Sequence, residues 1–114
     1  TTVEAPFDLA PALATATADQ AILIDCATMW LTNHLLEDHD LSAQSDILID
    51  ALKSCKAPIV IVSNEVGQGI VPDNALSRQF REAQGRLNIA LAAQSDLSIQ
   101  VVAGLPNVLK GMLP

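Results

Sequence analysis

Four consecutive β-branched residues, Ile59, Val60, Ile61 and Val62, follow Pro58 and stop abruptly at the polar triplet Ser63-Asn64-Glu65. Such side chains fit a pleated surface better than a helix, so this run reads as a strand, and the triplet marks its exposed carboxyl end. In open α/β sheets that end is where loop residues converge on a ligand. Gly67 and Gly69 allow the following backbone to turn tightly or approach another group closely. Pro72-Asp73-Asn74 then reads as the start of a long helix. Leu76, Phe80, Ala83, Leu87 and Leu91 fall on one face of it, and Arg78, Arg81, Glu82 and Arg86 spread around the rest. Strand, site loop and packing helix thus follow one another in a single stretch.

The rest of the chain repeats the alternation. Asp8, with Pro11 in the next turn, opens a short Ala-rich helix reaching residue 18, with Phe7, Leu9 and Leu13 inward. Residues 21–25 read as a short apolar strand ending in Asp25. A helix over 27–37 turns Trp30, Leu31 and Leu35 inward, and Asp40 caps another over 41–54, whose apolar face carries Ile47, Leu48, Ala51, Leu52 and Cys55. A third strand is predicted at 97–103, closed by Gly104 and a Pro-containing tail. Strands alternating with helices predict parallel pairing and an α/β sandwich, with 22–25, 59–62 and 98–102 in one sheet and Asp25 and Asn64 at the same edge. Three strands are few for so much apolar surface. Helices on both faces would leave a hydrophobic edge uncovered, which points to a larger sheet.

Composition narrows the function. The 114 residues suffice for one small domain with a real core. A net charge of −7 with only six Lys and Arg argues against a nucleic-acid or anionic membrane surface. Two cysteines, Cys26 and Cys55, suit a reduced cytoplasmic setting better than a disulfide framework. Neither a membrane span nor a signal peptide is expected from the apolar patterning.

Three blocks are more particular than patterning requires: S-N-E-V-G-x-G-I-V-P-D-N followed by R-x-F-R-E-x-x-G-R-x-N from Ser63 to Asn88, D-C-x-T-x-W-L-T-N from Asp25 to Asn33, and T-V-E-A-P from Thr2 to Pro6. In content and order they resemble the bifunctional adenosylcobinamide kinase / adenosylcobinamide-phosphate guanylyltransferase family of cobalamin biosynthesis. The phosphate-binding G-x-x-x-x-G-K-S loop of that family has no counterpart here, since no Gly-Lys-Ser/Thr run occurs, and neither His34 nor His39 matches the family's guanylylated histidine, which lies upstream of the T-x-E-x-P segment. The resemblance therefore implies that residues 1–114 are the C-terminal part of a single nucleotide-binding domain, within a RecA-like P-loop NTPase sandwich of three layers. It also implies Mg²⁺, GTP or ATP as substrates, adenosylcobinamide as the other substrate, and a cytoplasmic homotrimer.

For individual residues the resemblance implies that Glu4 contacts the guanine nucleotide, that Asp25 holds Mg²⁺ with Cys26 beside it at the nucleotide, and that Asn64, Glu65, Gly67 and Gly69 border the substrate cleft. Plainer readings stand next to these. Asp25 could cap the helix that follows it, Cys26 could be a small buried hydrophobe, and Asn64 and Glu65 could simply form a turn. Val66-Gly67-Gln68-Gly69 is only a G-x-G and a weak dinucleotide signal. Arg78, Arg81 and Arg86 could grip phosphate, although a solvated helix face or a subunit contact accounts for at least two. His34 and His39 read as surface histidines near a helix end, and Trp30 as a core or interface residue. Two other functions remain open on sequence alone. One is a non-catalytic α/β domain that binds a nucleotide or a partner; the other is an unrelated α/β enzyme using Asp25 and Glu65 as a carboxylate pair.

Overall fold

The computed structural model describes residues 2–64 and 74–114. Along the chain come α1 (Ala10–Thr15), β1 (Ile22–Asp25), α2 (Ala27–Leu36), α3 (Leu41–Ser54), β2 (Ile59–Val62), α4 (Ala75–Gln94), β3 (Ser98–Val102) and β4 (Leu105–Lys110). Glu65, Gly67, Gly69, Pro72 and Asp73 lie outside the described residues.

Side-chain chemistry starts each principal helix. Asp40 Oδ1 accepts the Ala43 N–H at 3.1 Å to cap α3, and Asn74 Oδ1 accepts the Ser77 N–H at 2.7 Å to cap α4. At α1, Asp8 Oδ1 accepts the Ala10 N–H at 3.1 Å and Pro11 sits in the first turn. The helix is shorter than expected, ending at Thr15.

β1 and β2 form a parallel pair, in register from Ile22 opposite Ile59 to Asp25 opposite Val62. The period of two sends Ile22, Ile24, Ile59 and Ile61 to one face, where they pack on a core of Leu13, Ala27, Trp30, Leu31, Leu41, Leu48 and Leu87. The opposite face shows Leu23, Val60 and Val62, at 67%, 64% and 43% exposure. The class is α/β with a parallel pair packed against helices, and among the described residues those helices cover one face, not two.

The third strand departs from expectation. β3 does not join β1 and β2; it pairs antiparallel with β4 as a separate hairpin. Its two-residue turn is Ala103-Gly104, with φ of 52° and 76°. Positive φ at both positions is the backbone signature of the tight hairpin turn whose twist matches that of the strands. Pro106 is tolerated in β4 because that strand is bonded on one side only. Three side chains expected inside are only partly covered: Leu76 is 54% exposed, Ile47 51% and Phe7 38%. Leu76 occupies the first turn of α4, beyond the reach of the core, while Ile47 lies at the margin of the α3 stripe that Leu48 centres.

Candidate functional site

The carboxyl ends of β1 and β2 lie side by side, so Asp25 stands opposite Val62, two residues before Asn64. This puts Asp25 and Asn64 at the same sheet edge, as the sequence predicts. Asp25 is exposed, and α2 begins two residues after it. The cap of α2 is supplied by Cys26, whose Sγ accepts the Met29 N–H at 3.4 Å. The plain reading of Asp25 as the cap is thereby displaced to its neighbour. Cys26 is half-buried at a helix start, not a fully enclosed hydrophobe.

Beyond the last ladder position, the backbone of Asn64 is held from both sides. Its N–H donates to Thr28 Oγ1 of α2 at 2.9 Å, and its carbonyl accepts from Asn88 Nδ2 of α4 at 3.0 Å. Asn88 Oδ1 in turn accepts from Ser63 Oγ at 2.6 Å and from Gln84 Nε2 at 2.9 Å. Gln84 Nε2 also donates to Ser63 Oγ at 2.9 Å. Of these residues, Ser63 belongs to the triplet that marks the strand end, whereas Thr28, Gln84 and Asn88 were not singled out from the sequence. Thr28 and Asn88 are fixed letters of the two longer motifs, and Gln84 interrupts an apolar stripe at helical spacing, which is the signal that marks it.

The amino-terminal segment is fastened to the same helix. Asn33 Nδ2 donates to the Pro6 carbonyl at 3.0 Å, and the Phe7 carbonyl accepts from Trp30 Nε1 at 2.9 Å and from His34 Nε2 at 2.8 Å. Two donors satisfy both lone pairs of that carbonyl. His34 is 2% exposed, which corrects the expectation of a surface histidine. Its Nε2 donates to that carbonyl, and its Nδ1 lies 2.8 Å from His39 Nδ1, within hydrogen-bond distance. Trp30 and Phe7 pack edge-on against the His34 ring, with centroids 4.7 and 5.4 Å away.

Glu4, two residues before Pro6, is exposed and has no hydrogen bond or ion pair with another described residue. Its anchoring point at Asn33 lies six residues along α2 from Ala27, roughly 9 Å at the helical rise. Glu4 and Asp25 are thus carried by opposite ends of one helix and do not bond to each other. Arg86 is paired with Glu82 at 3.0 Å on the exposed side of α4, in line with the solvated-face reading. Among the described residues there is no cluster of three or more His, Cys, Asp or Glu able to hold a metal ion by themselves. Asp25 as a single exposed carboxylate does suit Mg²⁺, which is bound through one or two carboxylates plus phosphate and water oxygens.

An α/β unit with paired parallel strand ends, one of them running straight into a helix start, defines a ligand-handling class in which the site lies at the carboxyl edge of the sheet. The comparison with protein families identifies which one. The chain belongs to the CobU family, cobinamide kinase / cobinamide phosphate guanyltransferase, whose family model matches residues 1–109. It is 41% identical over 113 residues to the bifunctional adenosylcobalamin biosynthesis protein CobP of Pseudomonas aeruginosa, covering 96% of this chain and 65% of that protein. It is 42% identical over 113 residues to the bifunctional adenosylcobalamin biosynthesis protein CobU of Salmonella typhimurium, covering 86% and 59%, and 36% identical over 102 residues to that of Escherichia coli, covering 76% and 56%. The chain therefore spans between 56% and 65% of the length of these curated relatives.

Proposed function

We propose that this chain forms part of an enzyme of cobalamin biosynthesis that phosphorylates adenosylcobinamide with ATP or GTP and then transfers GMP from GTP to the product, giving adenosylcobinamide-GDP. One observation carries the reading beyond family membership. The three sequence blocks that suggest the family become one hydrogen-bonded framework, with α2 bonding both to the segment behind Glu4 and to the strand end at Asn64. Residues far apart in sequence are fastened to the two ends of one helix, the start of which lies at the sheet edge.

In this reading Asp25 holds Mg²⁺, which would supply positive charge to the phosphates of the nucleotide. Cys26 lies beside it at the nucleotide, and Glu4 accepts donors from the guanine base edge or the ribose. Asn64, with Glu65, Gly67 and Gly69, borders the corrinoid cleft. Both half-reactions move phosphorus with little covalent work by the protein, so what these residues contribute is placement and charge. His34 does not suit a covalent guanylyl acceptor, being enclosed with both ring nitrogens engaged.

The exposed face of Leu23, Val60 and Val62 supports a further element of the reading, that β1 and β2 belong to a RecA-like sheet covered on both sides, as parallel sheets are. A cytoplasmic homotrimer is part of the same proposal; apolar residues exposed on α4 and on the hairpin, among them Ile89, Val101 and Leu105, support a subunit contact. No helix among the described residues is long and apolar enough to cross a membrane. The test is direct: the full-length protein, incubated with adenosylcobinamide, GTP and Mg²⁺, should convert the corrinoid first to a phosphate and then to a GDP derivative by mass spectrometry. Unchanged corrinoid would overturn the proposal.

A further inference from the structure

The amide of Gln84 is fully enclosed, within a helix face otherwise made of Phe80, Ala83, Leu87 and Leu91. Its Oε1 has no partner among the described residues. An apolar side chain of similar volume would avoid that desolvation cost, so packing alone does not account for glutamine here. What the amide does provide is a pair of donor contacts, to Ser63 Oγ and Asn88 Oδ1, that lock the side chains reaching the end of β2.

We propose that Gln84 and Asn88 are positioning residues for phosphoryl transfer, which fix the carboxyl end of β2 beside Asp25 without touching nucleotide or corrinoid. The proposal rests on the reading of that strand edge as the site. Asn64 lies past the last ladder pair, where a strand end would ordinarily fray. Here both of its backbone groups are taken by side chains, its carbonyl by Asn88 and its N–H by Thr28, and Thr28 sits in the first turn of the helix that follows Asp25. Asp25 and Asn64 are thereby tied to a common frame through α2, while α4 supplies the second fixing from the other side. Gln84 and Asn88 are one helical turn apart, so a single face of α4 delivers both amides.

The consequence is a placement effect, and a misplacement of about 1 Å can cost about 100-fold in rate. In the full-length enzyme, Asn88→Asp keeps the Oδ1 acceptor for Ser63 and Gln84 and sets a carboxylate oxygen against the Asn64 carbonyl in place of the donor, while Gln84→Met and Ser63→Ala disturb the same network without a change of charge. Asn88→Asp should lower kcat for adenosylcobinamide phosphorylation by about 10- to 100-fold while changing both KM values by less than about three-fold. Gln84→Met should act in the same direction, and the double variant should lose little more than the worse single one, because both act through the same contact. Gln94→Leu is the control: Gln94 also has an unpartnered buried carbonyl, but it lies in the last turn of α4, away from the strand end, and kcat should stay within about two-fold.

A role confined to stability would lower the melting temperature and leave kcat per folded molecule intact in Asn88→Asp, and that result would overturn the proposal. Should Gln84→Met not fold, Ser63→Ala removes one donor of the same network and carries the same expectation. Wild-type enzyme without kinase activity would overturn the reading of the site together with this proposal, whereas active wild type with indifferent variants would overturn the proposal alone.

Discussion

Asp25 owes its availability to Cys26. Since the thiol caps α2, the carboxylate has no capping duty, and Asp25→Asn should change stability by less than about 0.5 kcal/mol. Removing a charge that acts in the transition state is a different matter, worth about 100- to 1000-fold in rate at a comparable single electrostatic contact. Turnover at saturating Mg²⁺, measured beside a thermal melt, separates the two, and near-normal turnover would take Asp25 out of the site. Trp30→Phe tests the other end of the same helix. It keeps the ring in the core but leaves the Phe7 carbonyl with one donor, at a cost of about 1 kcal/mol, and loosening the segment behind Glu4 should raise KM for GTP by about five-fold. An unchanged KM would separate Glu4 from the nucleotide. At this scale the sequence was informative where a residue's own chemistry decides its place, as with the cap Asp40 and with Trp30, read as core or interface and found in the core. It misled at His34, because the Phe7 carbonyl that draws the imidazole inward lies 27 residues away along the chain.

Among the elements, the β1–β2 pair and the four helices were legible from their periods, although the cap of α2 proved to be Cys26 and α1 ended at Thr15. β4 was not legible. Ala103-Gly104 lacks the Asn or Asp that usually announces a two-residue turn, and Pro106 argues against a strand, so the hairpin reads as a single strand followed by a tail. Its backbone makes opposite predictions at two positions. Ala103 holds φ of 52°, where an alanine Cβ is crowded, so Ala103→Asn should stabilise the protein by about 0.5–1 kcal/mol in chemical denaturation. Gly111 holds φ of 80°, and a Cβ there would overlap the Asp96 backbone carbonyl, so Gly111→Ala should destabilise it by about 1–3 kcal/mol. Equal effects of the two substitutions would mean that the hairpin does not adopt this turn and closure.

At the scale of the molecule, the α/β class and the shared edge of Asp25 and Asn64 followed from alternation alone, whereas the framework joining the three motif blocks did not, because it is made of side-chain contacts across 21 to 36 residues. Sequence patterning reports which face of an element is apolar, and is silent on which carbonyl a buried amide will meet. The separation of the two sheets has a consequence of its own. The hairpin shares no strand with the parallel pair, and among the described residues Lys110 Nζ donating to the Ala92 and Ala93 carbonyls and the Ser95–Ser98 hydroxyl contact fasten it to the carboxyl end of α4. Opening it breaks no ladder bond of β1 or β2, so the expected behaviour is two units of cooperativity. In native-state hydrogen–deuterium exchange, amides of β3 and β4 should exchange through a low-energy local opening, while those of β2 and the middle of α4 persist to global unfolding; a single protection level across both sheets would show that they melt as one.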